Sequence, residues 1–340
     1  MQPTIIGLDL AKSVFQVHGV DEHGKVALTK RLRRDGVLSF FANLPTCLVG
    51  MEACASAHFW AREISKLGHT VRLIPPQYVK PYVKRHKNDQ VDAEAICEAV
   101  QRPSMRFVPI KTEDQQGTLV IHRVRETLVR QRTQLINALR GHLAEFGIVA
   151  PQGPQKIVQL TTRLADPGED VVPAAARGVL QVLVEQLRDT ERRINDLDAQ
   201  LVRQAKSDET CRRLLTVPGI GPTIATALVA TIGNAAAFAS GRHLAAWLGL
   251  VPRQNSSGGK ERLGAISKAG NGYLRRLLVN GAHALLRWWR SSSPWVAKLL
   301  ERRPANIVAV ALANKAARIA WAVITRGETY RRPGAAAAGA

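Results

Sequence analysis

Two kinds of residue in this sequence could do chemistry: acids set in apolar surroundings, and a pair of serines beside two glycines. Asp9 sits inside the apolar run "IIGLDLAK", where an ionised carboxylate is costly to bury unless it meets a cation or a hydrogen-bonding partner. Glu52 repeats the pattern at the end of "CLVGME". Asp89 and Asp92 open the stretch "NDQVDAEAICEAV", and their spacing puts them on one face of a helix whose start Asn88 or Asp89 can cap. Converging carboxylates repel one another unless divalent cations neutralise them. Hard oxygen donors suit Mg²⁺ or Mn²⁺, and a pair of such ions can clamp the attacking and leaving oxygens at a phosphorus centre. First-turn acids opposing a helix dipole would account for Asp89 and Asp92, but not for Asp9 within a strand.

The serines are Ser256 and Ser257, in "LGLVPRQNSSGGKERLGAISKAGN". A serine hydroxyl is a poor nucleophile near neutral pH and needs a base or a metal to activate it. The chain places Lys260, Arg262 and Lys268 nearby and no histidine. Activation therefore has to come from elsewhere, the carboxylate-held cation being the source at hand, while the cations hold a phosphate and its developing charge. Either serine fits, with Ser257 directly preceding Gly258.

The elements that must position these groups follow from hydropathy and turn residues. Over the first hundred residues strand patterns alternate with helical ones: "TIIGLDLAK", "SVFQVHGVD", "KVALTKRLRR", "TCLVGMEA" and "HTVRLIPP" read as strands, "GVLSFFANL" and "SAHFWAREISKLG" as helices. An α/β layer is the expected result. A long helix over 113–146 carries Ile121, Leu128 and Leu135 at a seven-residue repeat, and a second from about 174 to 206 carries Leu180, Leu187, Ile194 and Leu201. Two such seams imply an antiparallel hairpin or coiled coil. Beyond residue 210 the chain is α-rich, and Pro218-Gly219-Ile220-Gly221-Pro222 between apolar runs has the form of a helix-hairpin-helix, in which Gly219 and Gly221 would let backbone amides approach a phosphate.

Composition narrows the partners. With 48 Lys and Arg against 27 Asp and Glu the chain carries +21, and the stretch from Gly241 to Arg332 holds 17 basic residues and three acids. Charge of that sign among core-forming residues calls for a polyanion; Arg275 and Arg276, after "GNGY", are further phosphate candidates. Cys47, Cys54, Cys97 and Cys211 form no CxxC pair, so a zinc site is not expected and a reducing cytoplasm, nucleoid-associated, is. No secretory leader is expected at the N-terminus. The apolar stretch "NIVAVALANKAARIAWAVI" contains Lys315 and Arg318, which favours a buried helix over a membrane span.

"GLDLAK", "GMEACAS", "KNDQVDAEA", "VPGIGPTIATALVATIG", Phe238 and "LAAWLGLVPRQNSSGGKERLGAISKAGNGYLRRLLV", in that order, resemble the DEDD insertion-sequence transposases of the IS-one-ten family, with its IS-one-one-one-one branch, relatives of the pilin-gene invertases. The resemblance spans nearly the whole chain. It implies a ribonuclease-H-like domain similar to Holliday-junction resolvases at 1–110, a coiled-coil linker at 111–207 and a mainly α-helical transposase domain at 208–332; the last eight residues, "PGAAAAGA" at 333–340, read as a disordered tail from their composition. It further implies Asp9, Glu52, Asp89 and Asp92 as a metal-binding tetrad, a catalytic serine at Ser256 or Ser257, donor and target DNA paired with an element-encoded bridge or seek RNA, and a dimer or tetramer in which one protomer's metal site meets another's serine. The expected reaction is cutting and rejoining of DNA through a phosphoserine link. Two rivals make different demands on the residues. A metal-dependent junction nuclease would use water and not the serine; a non-catalytic nucleic-acid-binding protein would need none of the acids.

Overall fold

A computed structural model describes residues 2–84, 88–149, 153, 161–162, 171–289 and 293–331. The tail expected at 333–340 lies outside the described residues. The chain divides into two compact units, Met1–Glu113 and Asp114–Ala340.

The first unit is a five-stranded sheet with helices on both faces. Its strands are β1 (Ile5–Asp9), β2 (Val14–Val20), β3 (Val26–Arg33), β4 (Leu48–Glu52) and β5 (Thr70–Ile74), in the spatial order β3-β2-β1-β4-β5. The first three form an antiparallel meander, and β4 and β5 extend it in parallel with β1. Helices α1 (Val37–Ala42) and α2 (Ala57–Lys66) cover one face, over a core that includes Ile6, Leu8, Phe15, Val49, Trp60 and Leu73. After the short α3 (Pro76–Val79), α4 (Asp89–Val100) covers the other. Two glycines let α4 lie directly on the strands. A Cβ on Gly7 would come within 2.1 Å of the Ala93 carbonyl oxygen, and one on Gly50 within 2.8 Å of the Val100 Cβ. Because β1 and β4 run parallel and side by side, their carboxyl ends fall together, the usual location of a site in an open α/β sheet.

Among the described residues, the second unit is helical apart from one hairpin. Helices α5 (Glu113–Ala144) and α6 (Ala174–Ser207) are long. They pack antiparallel: Ile136, Leu139 and Leu143 share a cluster with Leu180, Val184 and Leu187, while Arg125 pairs with Asp198 at the other end. The α6 seam lies where the periodicity puts it, with Leu180, Leu187, Ile194 and Leu201 all buried. On α5, Ile121, Leu128 and Leu135 are only half-buried. The packed face there has rotated by one residue, and His122, Ile136, Leu139 and Leu143 occupy it. His122 causes the shift at its end: its ring bonds Tyr273 Oη (2.9 Å) and Thr226 Oγ1 (3.1 Å), so a polar residue takes a core position that a hydropathy pattern assigns to a neighbour.

Helices α7 (Glu209–Leu214), α8 (Pro222–Ile232), α9 (Gly241–Trp247), α10 (Gly272–Trp289) and α11 (Pro294–Leu300) pack with α12 (Ala305–Arg326) into one core. By length and composition α12 could cross a membrane. In this unit it buries Val308, Leu312, Ala313, Ala317 and Ala320 and turns Lys315 and Arg318 outward. Strands β6 (Pro252–Gln254) and β7 (Leu263–Ile266) form the hairpin that holds the serines.

Candidate active site

The carboxylates converge because strand ends and a helix start coincide. Asp9 is the last residue of β1 and Glu52 the last of β4, and these neighbouring strands are in register through Leu8 and Met51. Asn88 caps α4, its side chain accepting the Gln90 N–H at 3.1 Å, and this fixes Asp89 and Asp92 in the first turn. One oxygen each from Asp9, Asp89 and Asp92 lies within 4.8 Å of the other two. Glu52 stands beside this trio, outside that mutual distance but close enough to be felt electrostatically. Burial, followed by the charges of Asp92, Asp89 and Glu52, pushes the Asp9 carboxyl up to about 6, against an opposing hydrogen bond from the Leu10 N–H. Glu52 is raised as well, first by burial and then by Asp92.

Three carboxylate oxygens that close are a poor arrangement for a folded chain alone and a good one around a hard divalent cation. The donors that converge among the described residues are all carboxylate oxygens, which fit Mg²⁺ or Mn²⁺.

The serine segment is the opposite kind of structure. Lys260 N–H donates to Ser257 O at 3.1 Å, and Gly258 and Gly259 between them have φ of +56° and +75°. Two successive left-handed residues make a two-residue hairpin turn of the type that Gly-Gly supports. The Gly258-Gly259 doublet is therefore a hairpin signal that the sequence itself carries. Every residue from Pro252 to Ala265 is exposed, including Lys260, Glu261 and Arg262. Ser256 Oγ accepts the Arg262 N–H at 3.3 Å and so helps close the hairpin. Ser257 Oγ has no partner among the described residues.

The hairpin's root is tightly held. A Cβ on Gly249 (φ +69°) would lie 2.4 Å from Ala269 N, and one on Gly270 (φ +63°) 1.9 Å from the Trp247 carbonyl oxygen. Lys268 itself adopts φ +56°, rare for a side-chain-bearing residue. Arg275 Nη1 donates to the carbonyls of Leu248 (2.9 Å) and Ala269 (2.7 Å), binding the end of α9 to the segment between β7 and α10. Arg276 pairs with Glu126 and lies over the Tyr273 ring. Both arginines are thus engaged within the protein, whereas Lys260, Arg262 and Lys268 point to solvent. In the glycine turn before α8, Gly219 faces the Gly281 carbonyl of α10, 3.3 Å from where a Cβ would be, and Gly221 faces open space.

Residues 6–148 match the DEDD transposase model of the IS110 group, described as a transposase, and residues 211–299 match the model described as Transposase IS116/IS110/IS902 family. The chain is 53% identical to a probable family 20 transposase of Pseudomonas aeruginosa, over 97% of this chain and 98% of that one. It is 45% identical to the transposase for insertion sequence element IS1328 of Yersinia enterocolitica, over 97% and 99% of the two chains. It is also 45% identical to the transposase for IS1111A of Coxiella burnetii, over 96% and 91%.

Proposed function

This chain belongs to the IS110/IS1111 transposase family, and we propose that it acts there as an RNA-guided DNA recombinase whose nucleophile is Ser257. Family membership carries a DNA substrate and a dependence on divalent metal. The rest is our reading: a ribonuclease-H-like domain at 1–110, a coiled-coil linker at 111–207, a transposase domain at 208–332, an element-encoded bridge or seek RNA that pairs with donor and target DNA, and a dimer or tetramer.

The observation that carries the reading is a division of labour. Asp9, Asp89 and Asp92 converge on a hard-cation site, while Ser257 offers an uncommitted hydroxyl on a hairpin with no histidine. Asp9, Asp89, Asp92 and Glu52 would hold the cation, Mg²⁺ being the expected one. Such an ion polarises a phosphoryl oxygen and offsets charge as it develops. Ser257 Oγ forms a bond to phosphorus, the phosphorus–O3′ bond breaks, the serine proton passes to a carboxylate and the 3′ oxygen takes up a proton. The DNA end is then a 5′-phosphoserine ester. Because one phosphoester replaces another, rejoining a new 3′-hydroxyl reverses the step without an outside energy source. Lys260 and Arg262 lie on the exposed hairpin beside the nucleophile and would hold the phosphate. Lys268 would assist from the hairpin's root.

The test is to purify the chain with RNA transcribed from the element's flank, sequence the RNA that stays bound, and assay DNA joining with Mg²⁺. A protein–DNA adduct that forms in wild type and in Ser256→Ala and disappears in Ser257→Ala supports the reading. Cleavage that persists in both serine variants transfers the nucleophile's role to water.

A further inference from the structure

The register of the first unit places more than acids beside Asp9. Asp9 on β1 pairs with Gln16 on β2, and Gln16 pairs with Arg31 on β3. Residues directly opposite in a ladder project from the same face of the sheet. That face is the one under α4, since Gly7, two residues before Asp9, abuts Ala93. On the neighbouring pair, Val14 stands opposite Arg33. A single row of polar side chains thus crosses four strands, from Glu52 through Asp9 and Gln16 to Arg31, with Arg33 beside it.

Helix α4 packs over β1, β2, β4 and β5 and leaves the edge strand β3 largely open. Arg31 and Arg33 are exposed, and neither has an ion-pair partner among the described residues. Gln16 is 6% exposed and makes no side-chain hydrogen bond among them. From Arg31 to Asp9 is two strand spacings, about 10 Å between backbones, a gap that an extended arginine side chain largely spans.

We propose that Arg31 and Arg33 form a phosphate-binding track that leads a DNA strand from the β3 edge toward the carboxylate cluster. The inference rests on the reading that this cluster acts on DNA. Two exposed cations in line with the acids give the strand's phosphates attractive contacts on the approach to a site that is otherwise negative. Charges on an edge strand also guard it against pairing with another sheet, but any exposed cation on β3 serves that purpose. Lys30 provides the comparison: it is on the same strand and points to the opposite face, with its ammonium 5.4 Å from the centre of the Phe40 ring.

The experiment measures binding of the full-length protein to a fluorescent synthetic four-way DNA junction, in EDTA to prevent cleavage, across a series of NaCl concentrations. The slope of log K against log salt counts phosphate contacts at roughly 0.9 per contact. Arg31→Gln and Arg33→Gln are each expected to lower its magnitude by about one, Arg31→Lys to retain most of it, and Lys30→Gln to leave it unchanged. The inference is overturned if Lys30→Gln matches Arg31→Gln, which would make the effect one of net charge, or if neither arginine variant changes the slope. No catalytic readout enters this measurement. Equal slopes for the Lys30 and Arg31 variants, alongside serine-dependent adduct formation, sink the track alone; loss of serine dependence sinks the proposed function whatever the slopes.

Discussion

In the proposed reaction the carboxylate cluster and the serine hairpin would contribute from opposite structural circumstances. Asp9 and Glu52 end strands in the middle of a sheet, and Asp89 and Asp92 begin a helix whose other face is buried in the core. Their positions are therefore fixed by the folding of the whole unit, which bears the cost of holding like charges together. Ser257 lies on a hairpin with no buried residue between Pro252 and Ala265. Its position is fixed by a glycine turn at one end and a clamp at the other. An electrostatically costly site needs a rigid frame. A nucleophile that must become bonded to its substrate and later released is better placed on an exposed arm.

This contrast is open to direct attack, and the strongest blow is to the acids. Asp9→Asn or Asp92→Asn is expected to slow DNA cleavage by more than about 100-fold, as loss of several kcal/mol of cation-mediated stabilisation implies. Asp9→Asn should at the same time raise the melting temperature of the metal-free protein at pH 7; a decrease would contradict the cost assigned to the cluster. Ser257→Ala should abolish the covalent adduct, while both serine variants keep stability within about 0.5 kcal/mol of wild type, as fits exposed positions. A melting point lowered by several degrees in Ser257→Ala would show that the hairpin is not the independent arm described.

Glycines sharpen the comparison at a smaller scale. Gly7→Ala has to displace α4 and is expected to cost about 3 kcal/mol, with weakened Mg²⁺ binding seen by calorimetry. Gly258→Ala meets no atom but must keep φ at +56°, so it should cost about 1 kcal/mol and reduce adduct formation without altering Mg²⁺ affinity. Mg²⁺ binding weakened equally by both substitutions would erase the distinction.

The smallest expected effect is in pH. Asp9 holds its proton better in the folded chain, about 6 against 3.8, so its contribution to metal-free stability is full below about pH 4 and is lost as pH rises through 6. His122 in the second unit has the opposite sign. Burial and the Arg125 charge lower it to about 4 from 6.5, so its contribution is present above 6.5 and is lost as pH falls toward 4. Urea titrations without metal between pH 4.5 and 7.5 should show the Asp9 slope vanish in Asp9→Asn and the His122 slope vanish in His122→Asn. Slopes of the same sign would refute one assignment.

Much of this was legible in the sequence. The strands of the first unit alternate apolar and polar residues or run apolar between turn residues, and each expected strand forms. The acids were visible because ionisable groups at Asp9 and Glu52 interrupt apolar runs. What stayed hidden depends on pairing or on side-chain partners. Nothing in the string aligns Gln16 and Arg31 with Asp9, because register comes from the fold of the meander. Arg275 looks like any surface cation until its two carbonyl partners are in place. The α5 seam was displaced because His122 finds hydrogen bonds inside the core, a compensation that hydropathy does not register.

The clamp at the root of the hairpin has a mechanical consequence. Gly249 abuts the Ala269 backbone, Gly270 abuts the Trp247 carbonyl and Arg275 ties Leu248 to Ala269, so the root of the hairpin is held. From Pro252 to Ser257 the arm is five residue steps, about 16 Å at a strand's rise. In the proposed reaction the hydroxyl would then be carried by movement about that root and not by a search through loop conformations.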